Sequence, residues 1–525
     1  MRTSILRLLR VCLQAGAFVV MACILLGVSG CPPEVTNFTP ASGPVGTPVT
    51  ITGKNFANNA AGNVVKFNGK TAPAVTMPTA GTLVATVPTD ATTGKITVAV
   101  GSQTATSQND FKVEGSSPTG KKWTFMVYLD ADNNLEQEGL GDFAEMAKVG
   151  SGDRVNIVVE MDRTPGYADD EGDWTETRRF LVKRDDTPGG AALQNLGEKN
   201  MGDPATLTDF VKWAATNYPA DYYALVIWNH GSGWRFMLDT AKARATRSTV
   251  TRAPGMPAPA SVIKAVAFDD TDGDELYMKE VQNALEKAQQ DLTASMGKPF
   301  KLSVVGFDAC LMGMVEVAYA LRNVADYVVG SEETEPGEGW PYDAILGVVA
   351  AQVTTDPKTL ATTIVEKYGA SYGPGSGVTQ SAVDVSKLAG VVAAIDAFTG
   401  SATSEWDKLK TARANAQQYH VAGYESFWGT DLWDYANRVH SGVSSSDIKT
   451  AASNLKAAID AFVVAEFHGS QRPGSHGTAI YFPKTKAARD DDPEHTAYTD
   501  ANTYQPVDFV KDHQWDNWLA QFYTH

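Results

Sequence analysis

The chain has 525 residues, 43% hydrophobic and 20% charged, a composition that excludes wholesale disorder and a collagen-like fibre. At roughly 150 residues per domain that length predicts two to four compact units. Against 44 Lys and Arg stand 61 Asp and Glu, a net charge of −17, so nucleic acid is not an expected partner and a cationic substrate is compatible. The first element is a leader: Arg2, Arg7 and Arg10 precede an apolar run over residues 11–28, and no acidic residue comes before Glu34. That is the layout of a secretory signal, although about 18 apolar residues also just suffice for a retained transmembrane anchor.

The end of the leader discriminates. Val28-Ser29-Gly30-Cys31 resembles the lipobox of bacterial lipoproteins, which implies cleavage after residue 30, a diacylglyceryl group on the Cys31 sulfur and a lipid anchor to a membrane of the bacterial envelope, facing the periplasm or the outside. Of the four cysteines, Cys12 and Cys23 leave with the leader, Cys31 carries lipid and Cys310 survives as a single thiol. An exported chain meets conditions that favour disulfides, yet this one can form none internally. The remaining thiol is therefore either a small buried hydrophobe or a working nucleophile, and its neighbours decide.

Residues 31–115 carry short alternating runs rich in Thr, Val and Gly, among them Val49 to Thr52, Val64 to Phe67, Leu83 to Val87 and Lys95 to Val100. Strands punctuated by turn residues at this spacing predict a small β-sandwich. Pro40-Ala41-Ser42-Gly43-Pro44, Ile51-Thr52-Gly53-Lys54-Asn55-Phe56 and Val65-Lys66-Phe67-Asn68-Gly69 resemble the immunoglobulin-like IPT/TIG family, which implies a spacer or binding module. No catalytic constellation occurs there. Residues 116–122 form a linker whose Gly and Ser content is that of a flexible chain.

Beyond the linker, residues 123–525 alternate apolar strands with helical stretches. Strands are predicted at Trp123 to Leu129, Val155 to Val159, Tyr223 to Trp228 and Leu302 to Phe307, and helices at Ala205 to Asn217, Met278 to Gln290 and Leu311 to Val324. The alternation predicts a largely parallel α/β sheet with helices on both faces, in which chemistry gathers at the carboxyl ends of strands.

Two strand ends carry reactive groups. One runs into Asn229-His230-Gly231-Ser232-Gly233-Trp234, the other into Asp308-Ala309-Cys310-Leu311 at the start of the predicted helix over residues 311–324. If the strands are neighbours, His230 and Cys310 share one side of the sheet. An imidazolium and a helix N-terminus both favour the thiolate that attacks a carbonyl, and the protonated imidazole can supply the leaving amine. Gly231, lacking a Cβ, lets a carbonyl approach its N–H, which with the N–H of Cys310 makes an oxyanion hole.

These segments, together with Met126-Val127-Tyr128-Leu129-Asp130-Ala131-Asp132-Asn133-Asn134, Gly330-Ser331-Glu332-Glu333-Thr334-Glu335-Pro336 and Gly477-Thr478-Ala479-Ile480-Tyr481-Phe482-Pro483, resemble the clostripain-like cysteine peptidases, whose fold is caspase-like. The resemblance implies an endopeptidase acting on proteins or peptides, with His230 as base and Cys310 as nucleophile. It also implies cleavage after Arg or Lys, Asp308 standing where the family has a determinant of that pocket; a carboxylate matches a guanidinium bidentately. Glu332, Glu333, Glu335 and Glu338 read first as a solvated acidic loop. Residues 238–263 contain Lys242, Arg244, Arg247 and Arg252 in an exposed stretch open to nicking, where the family resemblance suggests self-processing.

Other motifs give less. Asp269-Asp270-Thr271-Asp272-Gly273-Asp274-Glu275 departs from the EF-hand register and reads as an acidic turn; some relatives respond to calcium, so that ion stays open without being called for. Gly369-Ala370-Ser371-Tyr372-Gly373 matches a nucleophile elbow but lacks its strand-then-helix context. No metal-ligand motif stands out, and no organic cofactor is expected. The rival reading is a surface adhesin that uses the β-sandwich and keeps an idle peptidase fold; the intact set of His230, Gly231, Asp308 and Cys310 weighs against it.

Overall fold

The computed structural model describes residues 32–43, 46–88, 91, 93–113, 121–234, 266–352, 355–421, 424–492, 495, 498 and 508–525. Cys31 and the leader lie outside the described residues, as do Lys242, Arg244, Arg247 and Arg252. Among the described residues no helix is long and apolar enough to cross a membrane.

The chain divides into two compact units, Met1–Lys122 and Trp123–His525. In the first, one sheet orders the strands Glu34–Thr39, Pro48–Lys54, Thr82–Thr86 and Val75–Thr79, and a second contains Gln103–Val113, Gly94–Val100 and Val64–Phe67. Alternate residues of both sheets, among them Ile51, Leu83, Phe67 and Ile96, fill a single core. Period-two patterning therefore turns one face of each sheet inward.

The second unit is built on a nine-stranded sheet. Its spatial order is Gln194–Gly197, Thr177–Leu181, Val155–Arg163, Trp123–Ala131, Tyr222–Trp228, Leu302–Asp308, Ala325–Gly330, Thr379–Asp384 and Val463–His468. The five central strands are parallel; the two at each edge are antiparallel. Every residue of Trp123–Ala131 is buried, because both faces are covered. Met126 and Tyr128 enter one core with the helices Pro204–Asn217 and Met278–Met296. Phe125, Val127 and Leu129 enter the other with Glu136–Val149, Tyr342–Ala351 and Pro357–Tyr372. Full burial of each large apolar side chain contributes roughly 1.5–3 kcal/mol, and a one-residue slip would exchange the two faces, so packing fixes the register.

Two expectations change. The helix predicted from Leu311 shrinks to Val315–Ala320, and Leu311 takes a left-handed φ of 65°. The reason is competition for backbone bonds: Leu311 N–H donates to the Glu333 carbonyl at 3.1 Å and Gly313 N–H to that of Ser331 at 2.7 Å, so residues 310–314 form a turn. Cys310 therefore does not sit at a helix N-terminus. Glu332 and Glu333 are buried, Glu335 is half-buried and only Glu338 is exposed, so the predicted solvated loop is mostly interior; Glu333 pairs with Arg472, and Glu332 accepts from Gly477 N–H at 3.1 Å. The stretch over residues 369–373 closes the helix Pro357–Tyr372 and has no elbow geometry. Trp515 and Trp518 are buried and stacked, with ring centroids 5.0 Å apart, and so serve as scaffold.

Candidate active site

Strand register builds the site. Tyr222–Trp228 and Leu302–Asp308 pair in parallel, with Trp228 opposite Asp308, and Asn229 N–H extends the ladder to the Asp308 carbonyl at 3.3 Å. The chains then turn side by side: a Cβ on Gly231 would lie 2.2 Å from the Cys310 carbonyl oxygen and 2.8 Å from its nitrogen. Only glycine permits that approach. The space a side chain would need at Gly231 is thus filled by Cys310 itself. His230, Gly231 and Cys310 are brought together at adjoining strand ends.

His230 is held from behind. Its Nε2 lies 3.1 Å from Asn134 Oδ1, a contact that puts the ring proton on Nε2 and leaves Nδ1 as the basic nitrogen. Buried Asn229 donates to the Asp130 carbonyl at 2.9 Å and the Asp130 carboxylate at 2.7 Å, which fixes the backbone just before the histidine. Cys310 is partly exposed as a residue, yet its sulfur lies deep among protein atoms. Glu335 N–H donates to Sγ at 3.3 Å, and the thiol faces the Glu335 carbonyl at 3.8 Å. Burial first, then the carboxylates of Glu335, Glu333 and Asp308, pushes the Cys310 thiol up to about 12. The resting sulfur is a neutral thiol.

Beneath it lies an acidic floor. Asp308, 5% exposed, accepts from Tyr342 OH at 2.9 Å and Trp340 N–H at 3.2 Å. Gly339 has a φ of 55°, and a Cβ there would meet the Asp308 carboxylate at 2.9 Å, so the loop lies directly over it. Burial raises Asp308 to about 6, partly offset by these bonds and by one from the Glu335 carboxyl. Glu335 is raised well above the usual range by burial and then by Asp308, so Glu335 holds the shared proton. Its Oε1 accepts from Gln380 Nε2 at 3.1 Å.

Sequence reasoning missed the far wall of this floor. Asp142 accepts from Trp228 Nε1 at 2.6 Å and is raised by burial and then by Asp308. Glu138 and Glu145, on the same helix Glu136–Val149, each keep a buried carboxylate oxygen without a partner. Their i, i+4, i+7 spacing marks one helix face. Buried carboxylates in excess of their donors make surroundings suited to a cation.

The clostripain family model (Peptidase C11) matches residues 127–522. The chain belongs to the clostripain family. An IPT/TIG domain model matches residues 33–113. Clostripain of Hathewaya histolytica is 29% identical over 426 residues, 69% of this chain and 75% of that protein. Among solved structures, a secreted C11 cysteine protease from Bacteroides thetaiotaomicron in complex with an irreversible peptide inhibitor is 20% identical, with a TM-score of 0.50 over 77% of this chain and 99% of the other. An inactive zymogen C11 protease from Parabacteroides distasonis is 18% identical, with a TM-score of 0.50 over 78% and 100%. This clostripain-family chain is thus a cysteine endopeptidase with a caspase-like α/β domain, preceded by an immunoglobulin-like all-β region.

Proposed function

We propose that the protein is an exported, lipid-anchored endopeptidase that cleaves after Arg or Lys with Cys310 as nucleophile and His230 as base. The observation that carries the reading is the contact of Gly231 with the Cys310 backbone, which makes the two strand ends one site. Cys310 Sγ attacks the scissile carbonyl as its proton passes to His230 Nδ1, and the imidazolium then protonates the leaving amine. The N–H groups of Gly231 and Cys310 receive the oxyanion. Water, deprotonated by His230, resolves the thioester and restores the thiol. A guanidinium or ammonium reaching Asp308 cancels a charge that, after burial, helps hold the thiol up, so substrate binding itself favours the thiolate. The lipid anchor rests on Cys31 and the leader before it.

Profiling the protein against a peptide library tests the reading: cleavage concentrated after Arg and Lys is expected. A preference for acidic or small apolar residues there overturns the specificity, and no cleavage at all favours the adhesin.

Self-processing is proposed within residues 238–263, at Lys242, Arg244, Arg247 or Arg252, on the chain between His230 and Cys310. Purified wild type is expected as two fragments whose new C-terminus is one of these residues, with Cys310→Ala intact. One identical band from both removes the proposal.

A further inference from the structure

A cavity of about 500 Å³ lies where residues 414–418, the helix Leu432–Gly442 and Pro473-Gly474 come together, with Lys484 on its wall. In a chain of net charge −17 this wall is cationic: Arg438 and Lys484 stand against one carboxylate, that of Asp434. The carboxylate is already committed. Buried Asp434 accepts at Oδ2 from Arg438 Nε and from Gln417 N–H, each at 2.8 Å. Arg438 spends only Nε in that bond, and its two Nη groups and the Lys484 ammonium have no partner among the described residues. Both side chains belong to exposed residues, so their free donors face the opening.

A second cation stands behind this wall. Arg413 is 0% exposed and donates through Nε and Nη2 to the Phe482 carbonyl. Its Nη1 reaches Oε1 of Gln418, a residue of the cavity wall, at only 3.5 Å. No carboxylate pairs with it among the described residues, and burial alone lowers it to about 10, which leaves it protonated at neutral pH. A buried guanidinium without a counter-charge is costly, and an anion on the far side of Gln418 would offset part of that cost.

We propose that this cavity is an exosite that takes acidic side chains of protein or peptide substrates on Arg438 and Lys484. The Arg438 Nη pair presents the planar fork that matches a carboxylate. The volume is that of a site for a ligand of several residues and exceeds what a lone inorganic anion fills. Asn415 and Pro473 on the wall are exposed, so an extended chain can enter and leave.

The cavity shares a segment with the active site. Pro473 directly follows Arg472, which pairs with Glu333, and the Glu333 carbonyl holds Leu311 N–H next to Cys310. A substrate therefore meets opposite fields at two places, the acidic floor beneath the thiol and the cationic cavity along this segment. Opposed fields give a bound peptide one favoured direction.

Calorimetric titration of the full chain carrying Cys310→Ala with capped triglutamate, capped triglutamine and inorganic phosphate tests binding without turnover. Triglutamate is expected to bind about tenfold tighter than triglutamine or more, and to weaken as salt rises. Lys484→Gln, at an exposed position, should fold normally and weaken triglutamate by about threefold or more, whereas Lys484→Arg should hold it within about twofold. With the active protein, any peptide it cleaves is extended at either end by three glutamates or three glutamines. At one of the two ends the glutamate form should have a KM about threefold lower or more, and Lys484→Gln should remove that difference. Triglutamate binding no tighter than triglutamine, phosphate binding as tightly as triglutamate, undiminished affinity in Lys484→Gln, or equal KM values at both ends overturns the proposal.

Discussion

His230→Ala is expected to lower kcat/KM on an arginine amide by about 10³- to 10⁴-fold, and Cys310→Ala to lower it at least as far. Burial first, and then the neighbouring carboxylates, hold the sulfur as a thiol near 12, so at neutral pH attack requires removal of its proton as the bond forms. The proposed base is His230, whose chain neighbour Gly231 packs on the Cys310 backbone. With Nε2 engaged by Asn134, the exchange runs through Nδ1, and Asn134→Ala should cost a smaller factor by letting the ring turn. Attack and proton transfer are one event, so the Cys310→Ala, His230→Ala double variant should be no slower than Cys310→Ala alone. Circular dichroism of each variant separates this from misfolding. Retention of more than about a tenth of wild-type kcat/KM in His230→Ala would remove the histidine from the mechanism.

The two strand ends were readable because parallel strands buried on both faces appear as unbroken apolar runs; Tyr222–Trp228 and Leu302–Asp308 stop where polar residues begin. Their adjacency was not readable, since it depends on sheet order. The same limit hid the cationic cavity: Arg438 on the helix Leu432–Gly442 and Lys484 beyond the strand Ala479–Tyr481 share its wall only through the tertiary fold. Asp142 with Glu138 and Glu145 had the periodicity of a helix face, but an acidic face ordinarily turns to water. The turn after Cys310 misled for a different reason. Leu311-Met312-Gly313-Met314-Val315 has helical composition, yet its N–H groups find Ser331 and Glu333 first.

Asp308→Asn is expected to change two observables in opposite directions. On Arg and Lys substrates kcat/KM should fall by about 10²- to 10³-fold, because truncating one partner of a buried charge pair costs roughly 2–5 kcal/mol and each 1.4 kcal/mol is about tenfold. Alkylation of Cys310 by neutral iodoacetamide should quicken. Asp308 is one of the carboxylates raising that thiol, and each unit by which its pKa falls gives about ten times more thiolate at neutral pH. The pH profile carries the sign. Asp308 gains its proton as pH drops through about 6, so wild-type kcat/KM should decline below that point more steeply on a cationic than on a neutral substrate, and that difference should be lost in Asp308→Asn. A purely structural Asp308 predicts something else: equal losses on cationic and neutral substrates, no faster alkylation, and an acid limb that stays where it was.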